Sequence, residues 1–228
     1  MLQGVTLPAL PSLIFADRPS AGRQLAEAVR KAHPRPPLSV LALPRGGVPV
    51  ASEVARMLDA PLDVLLVRKI GSPSEPEFAL GAIASPDVVV RDDRISGPPS
   101  DTRAFERTAQ CEWVELERRE RLYRPGMAPL SLHGRTAIII DDGLATGWTM
   151  LAAARAARRA GAATVICAAP VASIEAAARI GREADRTIFL SIPRALSSVG
   201  EWYEDFSQVE DAEVLQLLRE TRDAHAGR

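Results

Sequence analysis

The stretch Ala137-Ile138-Ile139-Ile140-Asp141-Asp142 constrains this chain more than any other. Four consecutive apolar residues, three of them β-branched, read as a strand buried on both faces. Two adjacent carboxylates end that strand. A short loop with Gly143 and Gly147 follows, and residues 150–157 open a helix rich in strong helix formers. Unpaired N–H groups at a helix start carry partial positive charge and suit a phosphate. Gly147 lets an anion approach the backbone, and Thr146 and Thr149 add hydroxyl donors. The carboxylates suit vicinal hydroxyls or a divalent cation instead. A phosphate site beside a diol site is what a ribose 5-phosphate needs.

Strands and helices alternate along most of the chain. Residues 20–31 are predicted helical, with Ser20 as N-cap, after an irregular Pro-rich start over 1–19. A strand over 38–43 ends in Pro44-Arg45-Gly46-Gly47, and a helix covers 48–58. The next strand, 62–67, ends in Arg68-Lys69. Residues 71–134 depart from this alternation. They begin with a mobile loop carrying Glu75 and Glu77. A hairpin follows, pairing 78–84 with 88–91 around Ser85-Pro86-Asp87. Residues 101–123 form a charged helix whose Glu115–Arg119 and Glu117–Arg121 pairs have the favourable order, and it reads as a solvated face. Beyond the central stretch come a strand (164–169), a helix (173–183), a strand (187–191), an aromatic-rich segment (193–206) and a helix (209–222) led by Glu210-Asp211. This order predicts a parallel sheet with helices on both faces. Ligands bind at the carboxyl ends of such strands, where every polar motif here falls.

Composition narrows the class further. A chain of 228 residues with 46% hydrophobic and 25% charged residues fits one domain with a sizeable core. A net charge of −1 gives no electrostatic footprint for nucleic acid. His33, His133 and His225 are scattered and assemble no structural zinc pattern. Cys167, in an apolar run far from Cys111, reads as a small buried hydrophobe. Neither a signal peptide nor a membrane-spanning run is recognisable, so the expectation is a cytoplasmic protein with no membrane partner.

Asp141-Asp142-Gly143-Leu144-Ala145-Thr146-Gly147-Trp148-Thr149-Met150 resembles the phosphoribosyl-pyrophosphate (PRPP) loop of type I phosphoribosyltransferases. The adenine-type loop, Asp-Asp-Leu-Leu-Ala-Thr-Gly-Gly-Thr-Met, is the nearest match. Gly143 replaces a leucine there, and Trp148 replaces a small residue. Arg45-Gly46-Gly47 resembles the family's pyrophosphate loop, and Arg68-Lys69 with Gly71 and Pro73 continues the likeness. The resemblance implies a mainly parallel twisted sheet flanked by helices, with a core over about 20–192, a loop-and-hairpin insertion over about 71–134 and a C-terminal hood over about 193–228.

By that resemblance, Asp141 and Asp142 hold the ribose diol and, with PRPP, a Mg²⁺ ion. Gly143, Ala145, Thr146, Gly147 and Thr149 grip the ribose 5-phosphate, and Arg45, Gly46, Gly47, Arg68 and Lys69 take the pyrophosphate. Glu77, a nearer match than Glu75, and Asp142 are the candidate catalytic residues. Ala145 stands where the hypoxanthine-guanine enzymes carry an acid facing the purine. Val199, Trp202 and Tyr203 form a candidate hood over the base, or else a satellite cluster that pins the last helix. The implied reaction is Mg²⁺-dependent transfer of a 5-phosphoribosyl group from PRPP to a nitrogenous base, releasing pyrophosphate. The family also implies a homodimer. A second reading is a non-catalytic regulator that senses PRPP or a nucleotide on the same fold.

Overall fold

The computed structural model describes residues 14–71, 79–91 and 99–226. α1 (Arg18–Lys31), β1 (Leu38–Ala42), α2 (Gly47–Leu58) and β2 (Leu62–Val64) come first. β3 (Val67–Gly71), β4 (Ala79–Ala84), β5 (Val88–Arg91) and α3 (Pro99–Tyr123) are inserted before β6 (Thr136–Ile140). α4 (Trp148–Arg159), β7 (Thr164–Val171), α5 (Ile174–Ile180), β8 (Arg186–Ser191) and α6 (Asp211–Ala226) complete the order.

The main sheet runs β2-β1-β6-β7-β8, all parallel. β6 is central, with Ile138 opposite Val40 on one side and Ile166 on the other. All five of its residues are buried, which explains its uninterrupted apolar run. Alternation sends Val40, Ala42, Ile138 and Ile140 to one face, packed with Leu25, Val29 and Val54 from α1 and α2. Leu41, Ile139 and Cys167 face the other way, packed with Leu151, Ala153 and Ala157 of α4. Burial pushes the Cys167 thiol up, so it stays protonated. From β1 the chain moves outward to β2, then returns on the other side of β1 to β6. The strand order therefore reverses between β1 and β6, and that crevice is where open α/β sheets take their ligands.

The predicted hairpin is present, with β4 pairing antiparallel to β5. It belongs to a separate β3-β4-β5 sheet that packs on α4. The strand predicted over 62–67 is divided between the two sheets. The Leu65 N–H still donates to the Ala42 carbonyl of β1, whereas the Leu66 carbonyl accepts from Ser85. One apolar run serves both sheets because both bury it. The N-cap of α1 is Asp17 rather than Ser20. Asp17 accepts from the Ser20 N–H at 2.6 Å and Ser20 Oγ accepts from the Asp17 N–H at 3.1 Å, a reciprocal cap.

Candidate functional site

Asp141 and Asp142 leave β6 at the crevice. The Asp142 N–H donates to Asp141 Oδ1 at 3.0 Å. Arg18 Nε donates to Asp142 Oδ2 at 2.8 Å, with the two side chains 10% and 15% exposed. The same guanidinium donates to the Ser207 carbonyl at 2.7 Å and lies 3.8 Å over the Phe206 ring. Tyr203 donates its hydroxyl to the Asp142 carbonyl at 2.5 Å. Gly46 presses its backbone against the same carboxylate, since a Cβ there would stand 2.0 Å from Asp142 Oδ2. Asp142 is thus a junction of four chain segments. Burial, and then the charge of Asp142, hold the Asp141 carboxyl well above the usual range. Burial also raises Asp142, and Arg18 opposes that rise.

The loop beyond the acid pair is fastened to α5. The Ser173 N–H donates to the Leu144 carbonyl at 2.8 Å, and Ser173 Oγ donates to the Ala145 carbonyl at 2.6 Å. Arg179 Nη1 donates to the Thr146 carbonyl. Gly147 has φ +78°, and a Cβ there would lie 3.1 Å from Ala176, so both conformation and space require glycine. Trp148, the first residue of α4, is 7% exposed, and the Arg179 guanidinium lies 4.0 Å from its ring. No side chain caps the start of α4. Thr146 and Thr149 are half-buried there, and Ala145 is exposed. Gly143 leaves the space that Val199 fills; a Cβ there would stand 2.3 Å from Val199 Cγ1.

The second loop meets the first. The Pro44–Arg45 peptide is cis, and Gly46 and Gly47 lead into α2. A Cβ on Gly47 would lie 2.7 Å from the Ile140 carbonyl, so the two loops touch through their backbones. Arg45 is half-buried, with Nη1 3.7 Å from Glu210 and 3.8 Å from Asp211 at the start of α6. Arg68 and Lys69 are neighbours on β3 and therefore point to opposite faces, contrary to the expectation that both face the site. Arg68 Nε donates to Glu112 of α3 at 2.6 Å. Glu75 and Glu77 lie outside the described residues.

The hood corrects one expected role. Tyr203 is 6% exposed, with its ring packed on Phe15 and Phe206 at centroid distances of 5.4 and 5.0 Å. Its ring is part of the wall and offers no open face for stacking. Trp202 and Val199 are half-buried against this cluster. The segment before α1 pairs with the hood: the Phe15 N–H donates to the Trp202 carbonyl, and the Glu204 N–H to the Phe15 carbonyl, both at 2.8 Å. Sequence reasoning missed Phe15, Arg18 and Arg179, which lie outside any motif. Ser173 was legible only as the first residue of a predicted helix; it is the N-cap of α5, accepting from the Ala176 N–H at 3.0 Å.

A parallel sheet whose switch point brings together an acidic strand end, a glycine-bearing helix start and a basic glycine loop defines the type I phosphoribosyltransferase fold. The family model described as phosphoribosyl transferase domain matches residues 17–211, and the chain belongs to that family. Two curated Mycobacterium tuberculosis proteins, from strains CDC 1551 / Oshkosh and ATCC 25618 / H37Rv, are provisionally named phosphoribosyl transferases. Each is 44% identical over 217 residues, which cover 94% of this chain and 49% of the relative. The chain thus spans about half the length of these relatives. The crystal structure of TT1426 from Thermus thermophilus is 40% identical, with a TM-score of 0.75 over 91% of this chain and 98% of that one. No helix among the described residues is long and apolar enough to cross a membrane.

Proposed function

We propose that the protein transfers a 5-phosphoribosyl group from PRPP to a nitrogenous base and releases pyrophosphate. The observation that carries this reading is the meeting of Asp141, the start of α4 and the Arg45–Gly47 loop at one switch point. A 5′-phosphate suits the loop from Ala145 to Thr149, which holds an uncapped helix start and two half-buried threonines. Asp141 is the carboxylate for the ribose hydroxyls, because Asp142 already carries Arg18. Arg45, Gly46, Gly47 and Lys69 form the side that takes the pyrophosphate, where positive charge and backbone N–H groups stabilise the departing anion.

The donor set suits a Mg²⁺ ion that arrives with the substrate. Among the described residues no three His, Cys, Asp or Glu side chains converge. Mg²⁺ is commonly bound through one or two carboxylates plus substrate phosphates, and Asp141, the carboxylate that Arg18 does not hold, supplies one. The ion would neutralise charge on the leaving pyrophosphate. Ala145 gives the loop no acid, so Glu77 remains the proposed proton acceptor for the incoming base.

A screen of purine and pyrimidine bases with PRPP and Mg²⁺, following pyrophosphate release, tests the reading. Release with at least one base is expected. Replacing Thr146 and Thr149 together by valine should weaken PRPP by roughly 1.5–3 kcal/mol for each lost bond. Absence of both PRPP binding and release overturns the proposal. Arg45 and Arg68 already face carboxylates, as suits a protein that binds PRPP without consuming it. Tight PRPP binding with no release for any base would favour that sensor.

A further inference from the structure

Three consecutive loop carbonyls are turned toward α5: Leu144 and Ala145 accept from Ser173, and Thr146 accepts from Arg179. In a trans peptide unit the carbonyl and the following N–H point in opposite directions. Anchoring these carbonyls on α5 therefore sends the N–H groups of Ala145, Thr146 and Gly147 away from it. None of these three amides donates to a protein acceptor among the described residues. Successive outward amides at a helix start make an anion-binding concavity.

We propose that Ser173, Arg179 and Trp148 are positioning residues that set this concavity for a phosphate monoester. The inference rests on reading residues 145–149 as the phosphate site, and it assigns that site's shape to side chains outside the loop motif. Arg179 is suited to the task because its planar fork makes several fixed contacts at once. Nη1 donates to the Thr146 carbonyl, Nη2 donates to Glu175 Oε1 at 2.8 Å, and the plane lies over the Trp148 indole. A cation over an aromatic face is attracted by the ring quadrupole. Trp148 is buried and serves as the platform for that guanidinium, not as a ligand contact. This explains why a bulky aromatic stands where the adenine-type loop has a small residue. Ser173 anchors two carbonyls and caps α5, so the loop and α5 are oriented by one residue.

The test measures binding of inorganic phosphate and of ribose 5-phosphate by calorimetry to the native chain and to Arg179→Met, Arg179→Lys, Trp148→Leu and Trp148→Phe. Arg179→Met and Trp148→Leu should weaken both ligands by about tenfold or more, the loss typical of a charge-assisted bond. Arg179→Lys and Trp148→Phe, which keep a cation or an aromatic face, should recover part of the affinity. Asp141→Asn serves as the contrast: it should weaken ribose 5-phosphate and leave inorganic phosphate unchanged. Because a variant can fail to fold, amide NMR of the native chain is the second measurement. Phosphate should shift the Ala145, Thr146 and Gly147 amide resonances most. Folded Arg179→Met with native affinity, or phosphate shifts centred elsewhere, overturns the inference and leaves the phosphoribosyl reading standing. A native chain that binds neither ligand overturns both.

Discussion

Asp141 and Asp142 are chemically identical neighbours with different surroundings. Asp142 is bonded to Arg18, 124 positions away, and lies against Gly46 and Tyr203. Asp141 has the N–H of its neighbour, and burial disfavours its charge. The two should therefore separate under mutation. Asp142→Asn should lower stability by about 1–3 kcal/mol, since the nearly buried Arg18 loses its charged acceptor. Asp141→Asn should leave the melting temperature unchanged or raised and remove most PRPP affinity. Thermal unfolding and calorimetry on both variants check this, and equal stability losses would contradict it. The acid pair was legible because chemistry at a strand end is written in adjacent residues. The division of labour was not, because Arg18 sits at the first turn of α1 with no local pattern marking it as a partner.

Among the elements, β6 and α4 were the most legible, since a doubly buried strand and an alanine-rich helix each impose a distinct pattern. The break between β2 and β3 was hidden because Leu65 and Leu66 are buried on either side of it. In α1, Asp17 and Ser20 are both good caps, and only the backbone shows which is the N-cap. The charged helix α3 formed as expected, with Glu115 bonded to Arg119 at 2.7 Å and to Arg118 at 2.7 Å. Hydrogen bonds from Arg118 and then Arg119 lower the Glu115 carboxyl from 4.5 to about 2. The folded chain thus binds this proton less tightly than the unfolded chain. The stabilisation is complete above pH 4.5 and is lost as pH falls toward about 2. Glu115→Gln should cost about 0.3–0.5 kcal/mol per exposed helix pair at neutral pH. Denaturant titrations of both proteins should converge near pH 2, and a gap that persists there would contradict the assignment.

At the scale of the molecule, the crevice at the switch point is bordered by segments from both sides of the sequence. Phe15, before α1, joins Trp202 and Glu204 of the hood by two backbone bonds, and its ring meets Tyr203. Phe15 was not legible as a partner of the hood because a single bridging residue carries no period of its own. Phe15→Ala should cost about 3–5 kcal/mol, the usual loss for a buried phenylalanine. Hydrogen exchange should then quicken together at Glu204 and Asp205, whose N–H groups bond to Phe15 and Ala16. Unchanged protection at those amides would show that the hood stands without this partner. The contact between Gly143 and Val199 has a different reach. Val199 fills the space a side chain at position 143 would need, so Gly143 cannot grow while Val199 stays. Across the lineage of this chain they should vary as a pair, a larger residue at one place accompanied by a smaller one at the other. A record of substitutions at these two positions would then date when the hood came to rest on the loop.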